Sequence, residues 1–117
     1  MEFITLSDIP VDELVQIEQA EIDEANRYVE RVLLQKGIPI TIDLQANIHL
    51  KDLAKTYATY RAFLKKYTSA GNENEYGVKL KHYEKLVKDM ENSITKETLG
   101  ITDEITSIFG TFKIGRG

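Results

Sequence analysis

The chain has 117 residues, no cysteine, 42% apolar and 29% charged residues, and a formal net charge of −4. That length suits one domain, able to bury about 65% of its unfolded surface. The missing thiols exclude disulfides, thiolate nucleophiles and cysteine-ligated zinc, and the acidic balance argues against a tight grip on phosphate backbones, which takes clustered Lys and Arg.

No apolar run approaches the length of a membrane span. The opening Met1-Glu2-Phe3-Ile4 has neither the basic region nor the long apolar core of a signal peptide. The expectation is a soluble intracellular protein. Residues 1–6 are short and rich in apolar and β-branched types, fit to pack as a hydrophobic lead-in or to add a strand to a neighbour. Ser7 and Asp8 then offer a helix cap, with Pro10 in the first turn, where its missing N–H costs nothing.

From Val11, the apolar positions Leu14, Val15, Ile22, Ala25, Val29, Val32 and Leu33 keep helical spacing with a gap near Glu18. The gap admits a short helix followed by a longer one, or one helix with a polar interruption. Lys36 and Gly37 close the segment as a C-terminal turn and left-handed cap. The acids Asp23 and Glu24 precede the cations Arg27, Arg31 and Lys36, in the order that the helix dipole favours. Ile38-Pro39-Ile40-Thr41-Ile42 is predicted to be extended, since Pro39 biases Ile38 away from helix, and its apolar character lays it across the body.

Asp43 to Tyr67 is the predicted central helix, with Asp43 as N-cap. Ala46, Leu50, Leu53, Tyr57, Tyr60, Leu64 and Tyr67 recur at alternating steps of four and three and form one stripe. Ala54, Ala58 and Ala62 beside it permit close helix approach. Tyrosines carry an apolar ring and a hydroxyl that wants a partner, so Tyr57, Tyr60 and Tyr67 are candidate interface residues at the edge of the core.

Thr68 to Asn72 reads as a loop, and Asn72 with Glu75 fits a capping box. A third helix is predicted to about Thr98, with the stripe Tyr76, Leu80, Tyr83, Leu86, Val87, Met90 and Ile94, stopped by Leu99-Gly100. Gly77 costs its first turns about 1 kcal/mol against Ala and invites fraying. After Glu104 no acid remains, while Lys113 and Arg116 do, so the last stretch carries +2 against −6 for the rest. Ile101, Ile105, Ile108, Phe109, Phe112 and Ile114 make this end too apolar for a solvated tail. It is expected to be an extended or partly helical arm that docks on its own body or on a partner.

The residues offer little to catalysis. His49 and His82 lack a Glu three positions earlier, so the Glu-x-x-His signature of di-iron bundles is absent. Glu18, Glu21, Asp23 and Glu24 show no calcium-loop pattern and read as a solvated helix face, or as acids lining a channel in a ring. The glycines form no phosphate loop, and no serine has a recognisable triad around it. Lys79, Lys81, Lys85 and Lys88 interleave with Glu84, Asp89 and Glu91 as on an ordinary solvated helix. No enzymatic activity, cofactor or metal is expected.

Three features together resemble one family. They are the acidic helix Glu21-Ile22-Asp23-Glu24-Ala25-Asn26-Arg27-Tyr28-Val29, the link Gly37-Ile38-Pro39-Ile40, and the run Leu50-Lys51-Asp52-Leu53-Ala54-Lys55-Thr56-Tyr57-Ala58-Thr59-Tyr60-Arg61, followed by a polar loop and Tyr83-Glu84-Lys85-Leu86. Over residues 7–99 the chain resembles the head–tail connector (neck adaptor) proteins of tailed bacteriophages, including the Mu-like connector family. The resemblance implies a structural protomer of a ring, usually of twelve copies, in the virion neck. Such a ring lies between the portal protein and the next neck or tail protein, assembles in the host cytoplasm and extends a channel through which DNA passes as cargo. No catalysis and no membrane are implied. The fold expected is all-α: three long helices plus a short N-terminal helix in a connector domain over residues 1–100, and a docking arm over 101–117. A small bacterial helical interaction or regulatory module, binding through the tyrosine face, is the other reading the residues admit.

Overall fold

A computed structural model describes residues 1–9, 15–70 and 74–101. It is all-helical, with no strand among the described residues. Helix α1 spans Gln19–Gln35, α2 spans Ile48–Ala70 and α3 spans Asn74–Ser93; single 3-10 turns occupy Leu6–Asp8 and Ile42–Ala46.

Helix α2 packs against both other helices and so holds the centre. Glu21 of α1 meets Lys65 of α2, and Tyr28 stacks on Tyr57 further along. Numbers fall on α2 as they rise on α1, so the two run antiparallel. Phe63 stacks on Tyr83 and the Tyr67 ring lies against Gly77, which makes α3 antiparallel to α2 as well. Helices α1 and α3 are therefore parallel, tied directly where Tyr28 donates to Glu91.

The core follows the apolar periodicity. Ile22, Ala25, Val29, Val32 and Leu33 of α1 and Leu50, Leu53, Ala54, Ala58, Ala62 and Phe63 of α2 are buried. The three alanines line the buried face of α2 and leave room for a close neighbour. Phe63, with no exposed surface, belongs to that face, although it falls outside the four-three stripe. Its buried side is set one step around the helix from the tyrosines, which remain half-buried at the rim.

Helix ends correct several expectations. Asp43 lies within the 3-10 turn, and the N-cap of α2 is Asn47, whose Oδ1 accepts from the N–H groups of His49 (3.0 Å) and Leu50 (3.4 Å). Burial of Leu44 draws the chain into a separate turn before the helix can start, and leaves Ala46 exposed rather than on the stripe. Helix α3 ends at Ser93, not Thr98. Thr95 and Thr98 compete there for backbone: the Thr95 N–H donates to Thr98 Oγ1 (2.9 Å) and the Thr98 N–H to Thr95 Oγ1 (3.1 Å), closing a separate turn. Among the described residues the N-terminal part holds one 3-10 turn, Leu6–Asp8, with Asp8 accepting from the Thr5 N–H at 2.8 Å; the short helix expected from Val11 falls largely outside them. Pro10 and the Asn72 cap lie outside the described residues.

Gly37 ends α1 as the sequence predicts. It adopts φ +72°, the Ile38 N–H reaches Leu33 O at 2.9 Å, and the Gly37 N–H reaches Leu34 O at 3.1 Å. Leu33 and Ile38, brought together by this motif, are both buried. Lys36 extends its ammonium to Ile94 O at 3.0 Å, joining the C-terminal ends of α1 and α3.

Candidate functional site

Three places gather the chemistry: the rim where the helices meet through tyrosines, the acidic start of α1, and the groove beside the N-terminal segment.

At the rim, Tyr28 and Tyr57 stack face to face with centroids 4.0 Å apart and planes 5° apart. Tyr60 tilts against Tyr57 at 5.9 Å. Tyr28 donates to the Glu91 carboxylate, so one side chain joins all three helices. Burial first, then the bond to Glu91, hold the Tyr28 hydroxyl far above the usual phenol range. Burial, followed by the nearby negative charge of Glu84, raises Tyr60 as well. Tyr67 sits further along, with its ring edge so close to Gly77 that an added Cβ there would lie 3.2 Å from it. The glycine thus gives the ring a seat, a packing reason that helix propensity does not reveal. All three candidate interface tyrosines keep partial exposure.

At the start of α1, the four acids part ways. Glu21 is buried to 7% exposure; its Oε1 accepts from the Glu18 N–H at 2.9 Å, closing the first turn. Lys65 reaches both Glu21 (3.1 Å) and Glu18 (3.4 Å) across the helix pair. The hydrogen bond to Glu21 raises the Lys65 ammonium above its usual value. Asp23 is exposed and accepts from Gln19, and Glu24 pairs with Arg27 at 3.5 Å. Glu21 and Glu18 therefore pair with Lys65 between α1 and α2, Glu18 keeping most of its exposure, while Asp23 is exposed and Glu24 is half-buried beside Arg27.

The N-terminal segment packs as a lead-in. Phe3 and Ile4 are 1% exposed. Asn26 of α1 holds them as a neighbouring strand would: its Oδ1 accepts from the Phe3 N–H (2.9 Å) and Ile4 N–H (3.1 Å), and its Nδ2 donates to Ile4 O (3.2 Å). Lys51 donates to Phe3 O at 2.8 Å. The segment and the turn Ile42–Ala46 flank an open groove of about 610 Å³ with Glu2, Asp8 and Asp43 on its rim. The Thr5 N–H keeps the Asp8 carboxyl below the usual range.

Sequence reasoning assigned no individual role to Asn26, Tyr28, Phe63 or Lys65. A signal for Asn26 was present: it lies four residues after Ile22 and three before Val29, a polar group set into an apolar stripe. Lys65 and Glu91 carry no such signal, because their partners lie on other helices.

His49 and His82 are exposed, and His82 meets the Tyr83 ring edge-on at 5.2 Å. Among the described residues no group of three or more His, Asp or Glu is placed to hold a metal ion, and no helix is long and apolar enough to cross a membrane. Of the arm, Ile101 is described, half-buried against the core. Ile105, Ile108, Phe109, Phe112, Lys113, Ile114 and Arg116 lie outside the described residues. The chain matches no family model, and no curated protein or solved structure matches it either.

Proposed function

We propose that this chain is a structural subunit of a phage neck: a head–tail connector that joins with copies of itself in a ring between portal and tail. The observation that carries the reading is the order of parts. An acidic opening helix, a Gly-Ile-Pro-Ile link and a long tyrosine-bearing helix succeed one another and fold into one all-helical body around α2. Ring-making also accounts for large apolar side chains left in water. Leu34, Ile42, Ile48 and Val78 are each more than half exposed on a small protein, material for contacts between subunits. A heterologous contact repeated around an axis closes when its rotation divides the circle.

The chain's role toward DNA is then passive. A net charge of −4, with Glu18 and Asp23 exposed at the start of α1, favours sliding over binding, since a wall that repels phosphates does not hold them. The arm, with Lys113 and Arg116 among apolar residues, is the part that reaches a neighbour or the portal.

Co-expression with the portal protein of the same genome tests this. The expected result is co-purification of a complex far larger than either protein. A chain that remains a monomer or a discrete dimer and leaves the portal unbound contradicts the reading and favours a small interaction module.

A further inference from the structure

We propose that the groove beside the N-terminal segment is the receptor for the end of the arm, residues 109–116, of a second copy of this chain. The inference rests on the ring reading and names the contact that links one subunit to the next.

The groove is shallow and open, with acids on its lining. The extended residues from Glu2 to Thr5 form one wall and the turn Ile42–Ala46 the other. It is open to solvent, with a volume of about 610 Å³, room for a few side chains laid along it. Ile42, at 76%, is the most exposed large apolar residue among those described, and Ala46 beside it is exposed too. The rim is acidic. Glu2, Asp8 and Asp43 line it against a single lining cation, Lys51, which is engaged with Phe3 O. Lys55 also lies near enough to act on Asp8, and it offsets part of that charge.

The arm's end has the opposite character. Phe109, Phe112 and Ile114 supply bulky apolar groups, Lys113 and Arg116 supply two cations, and no acid follows Glu104. Apolar side chains set in the groove would cover Ile42, while the cations meet the three carboxylates at the rim, the usual arrangement of an apolar centre inside a polar border. The reach suffices. Phe112 lies eleven residues after Ile101, a span of up to about 36–40 Å when extended, while the protein measures 24 Å along its middle axis. A subunit can therefore present the arm to a neighbour placed beside it. One donor segment and one acceptor groove per chain give the head-to-tail contact that a ring requires.

The absence of cysteine makes a direct test clean. Two full-length variants, Asp43→Cys and Lys113→Cys, are mixed and oxidised. Asp43 is exposed, so its replacement leaves the core intact. The mixed disulfide dimer is expected to exceed either same-variant dimer severalfold. Its yield should fall as salt shortens the Debye length from about 10 Å at 0.1 M to about 3 Å at 1 M. Mixed dimers in no preference to same-variant dimers would overturn the proposal. So would a double variant, Asp43→Cys with Lys113→Cys, that closes within a single chain, since the arm would then occupy its own groove. Electron microscopy of the same samples separates this proposal from the one beneath it: rings without the crosslink overturn the groove contact alone, while the crosslink without rings retains that contact and removes the ring.

Discussion

Asn26 makes three hydrogen bonds to the backbone of Phe3 and Ile4, and replacing it strands buried peptide groups. Asn26→Ala should destabilise the protein by about 2 kcal/mol, read as a lower urea midpoint. Asn26→Asp, which can still accept but not donate, should cost less. Tyr28 is a second such residue. Tyr28→Phe keeps the ring stack but removes the bond to Glu91, for a loss of about 1–2 kcal/mol. The alkaline limb follows from the same group. The folded-state value of Tyr28 is raised, so its contribution is whole below the unfolded phenol value of 10.0 and is lost as pH climbs through the folded value. Lys65 is raised as well, so its contribution is whole below the unfolded value of 10.5 and is lost as pH climbs through its higher folded value. Unfolding midpoints measured from pH 8 to 11 should fall at the alkaline end in the natural protein, and less steeply in Tyr28→Phe. An equal slope in both would remove Tyr28 from that account. These residues were hardly legible in the sequence, because the partner of each is far along the chain. Asn26 pairs with residues more than twenty positions away, and Tyr28 with Glu91 across sixty-three. Periodicity reports which face of a helix is apolar, not which polar groups from distant segments meet on it.

Helices are where the sequence spoke most clearly. The stripe from Ile22 to Leu33 and the pair Leu50 and Leu53 are buried as their spacing predicts, and Gly37 stops α1 in a left-handed turn. What spacing could not supply was the competition at boundaries. Asp43 and Asn47 are equally good caps, and burial of Leu44 decided between them. Thr95 and Thr98 bonded each other's backbone and ended α3 early. Two changes probe the elements. Gly37→Ala has open space for its methyl group but a φ of +72°, so it should cost about 1–2 kcal/mol through backbone strain alone. Ala58→Leu inserts bulk into a fully buried site on the central helix and should cost about 1–3 kcal/mol. Thermal melts of both variants, with the exposed Val78→Leu as a near-neutral control, separate strain from overpacking. An Ala58→Leu protein as stable as the natural one would mean that the alanine face does not bring the helices together.

At the scale of the whole molecule, the proposed ring gives the body and the arm separate tasks. The body owes its stability to α2 and its two neighbours, and Ile101 already packs on that core. Truncation after Ile101 should therefore leave the urea midpoint of the body nearly unchanged while abolishing assembly. The all-helical class was legible because three amphipathic stretches lie in plain order, the first closed by Gly37. A contact between copies of the kind proposed would not be legible by periodicity, because exposed apolar residues such as Leu34 and Ile42 look scattered in a single sequence. The central claim, that this chain builds a ring on a portal, is tested most directly by electron microscopy of the full-length protein mixed with the portal protein of the same genome. The account predicts averaged images of a closed ring seated on the portal and sharing its axis. Portal particles with no added density, beside free monomers of this chain, would contradict it.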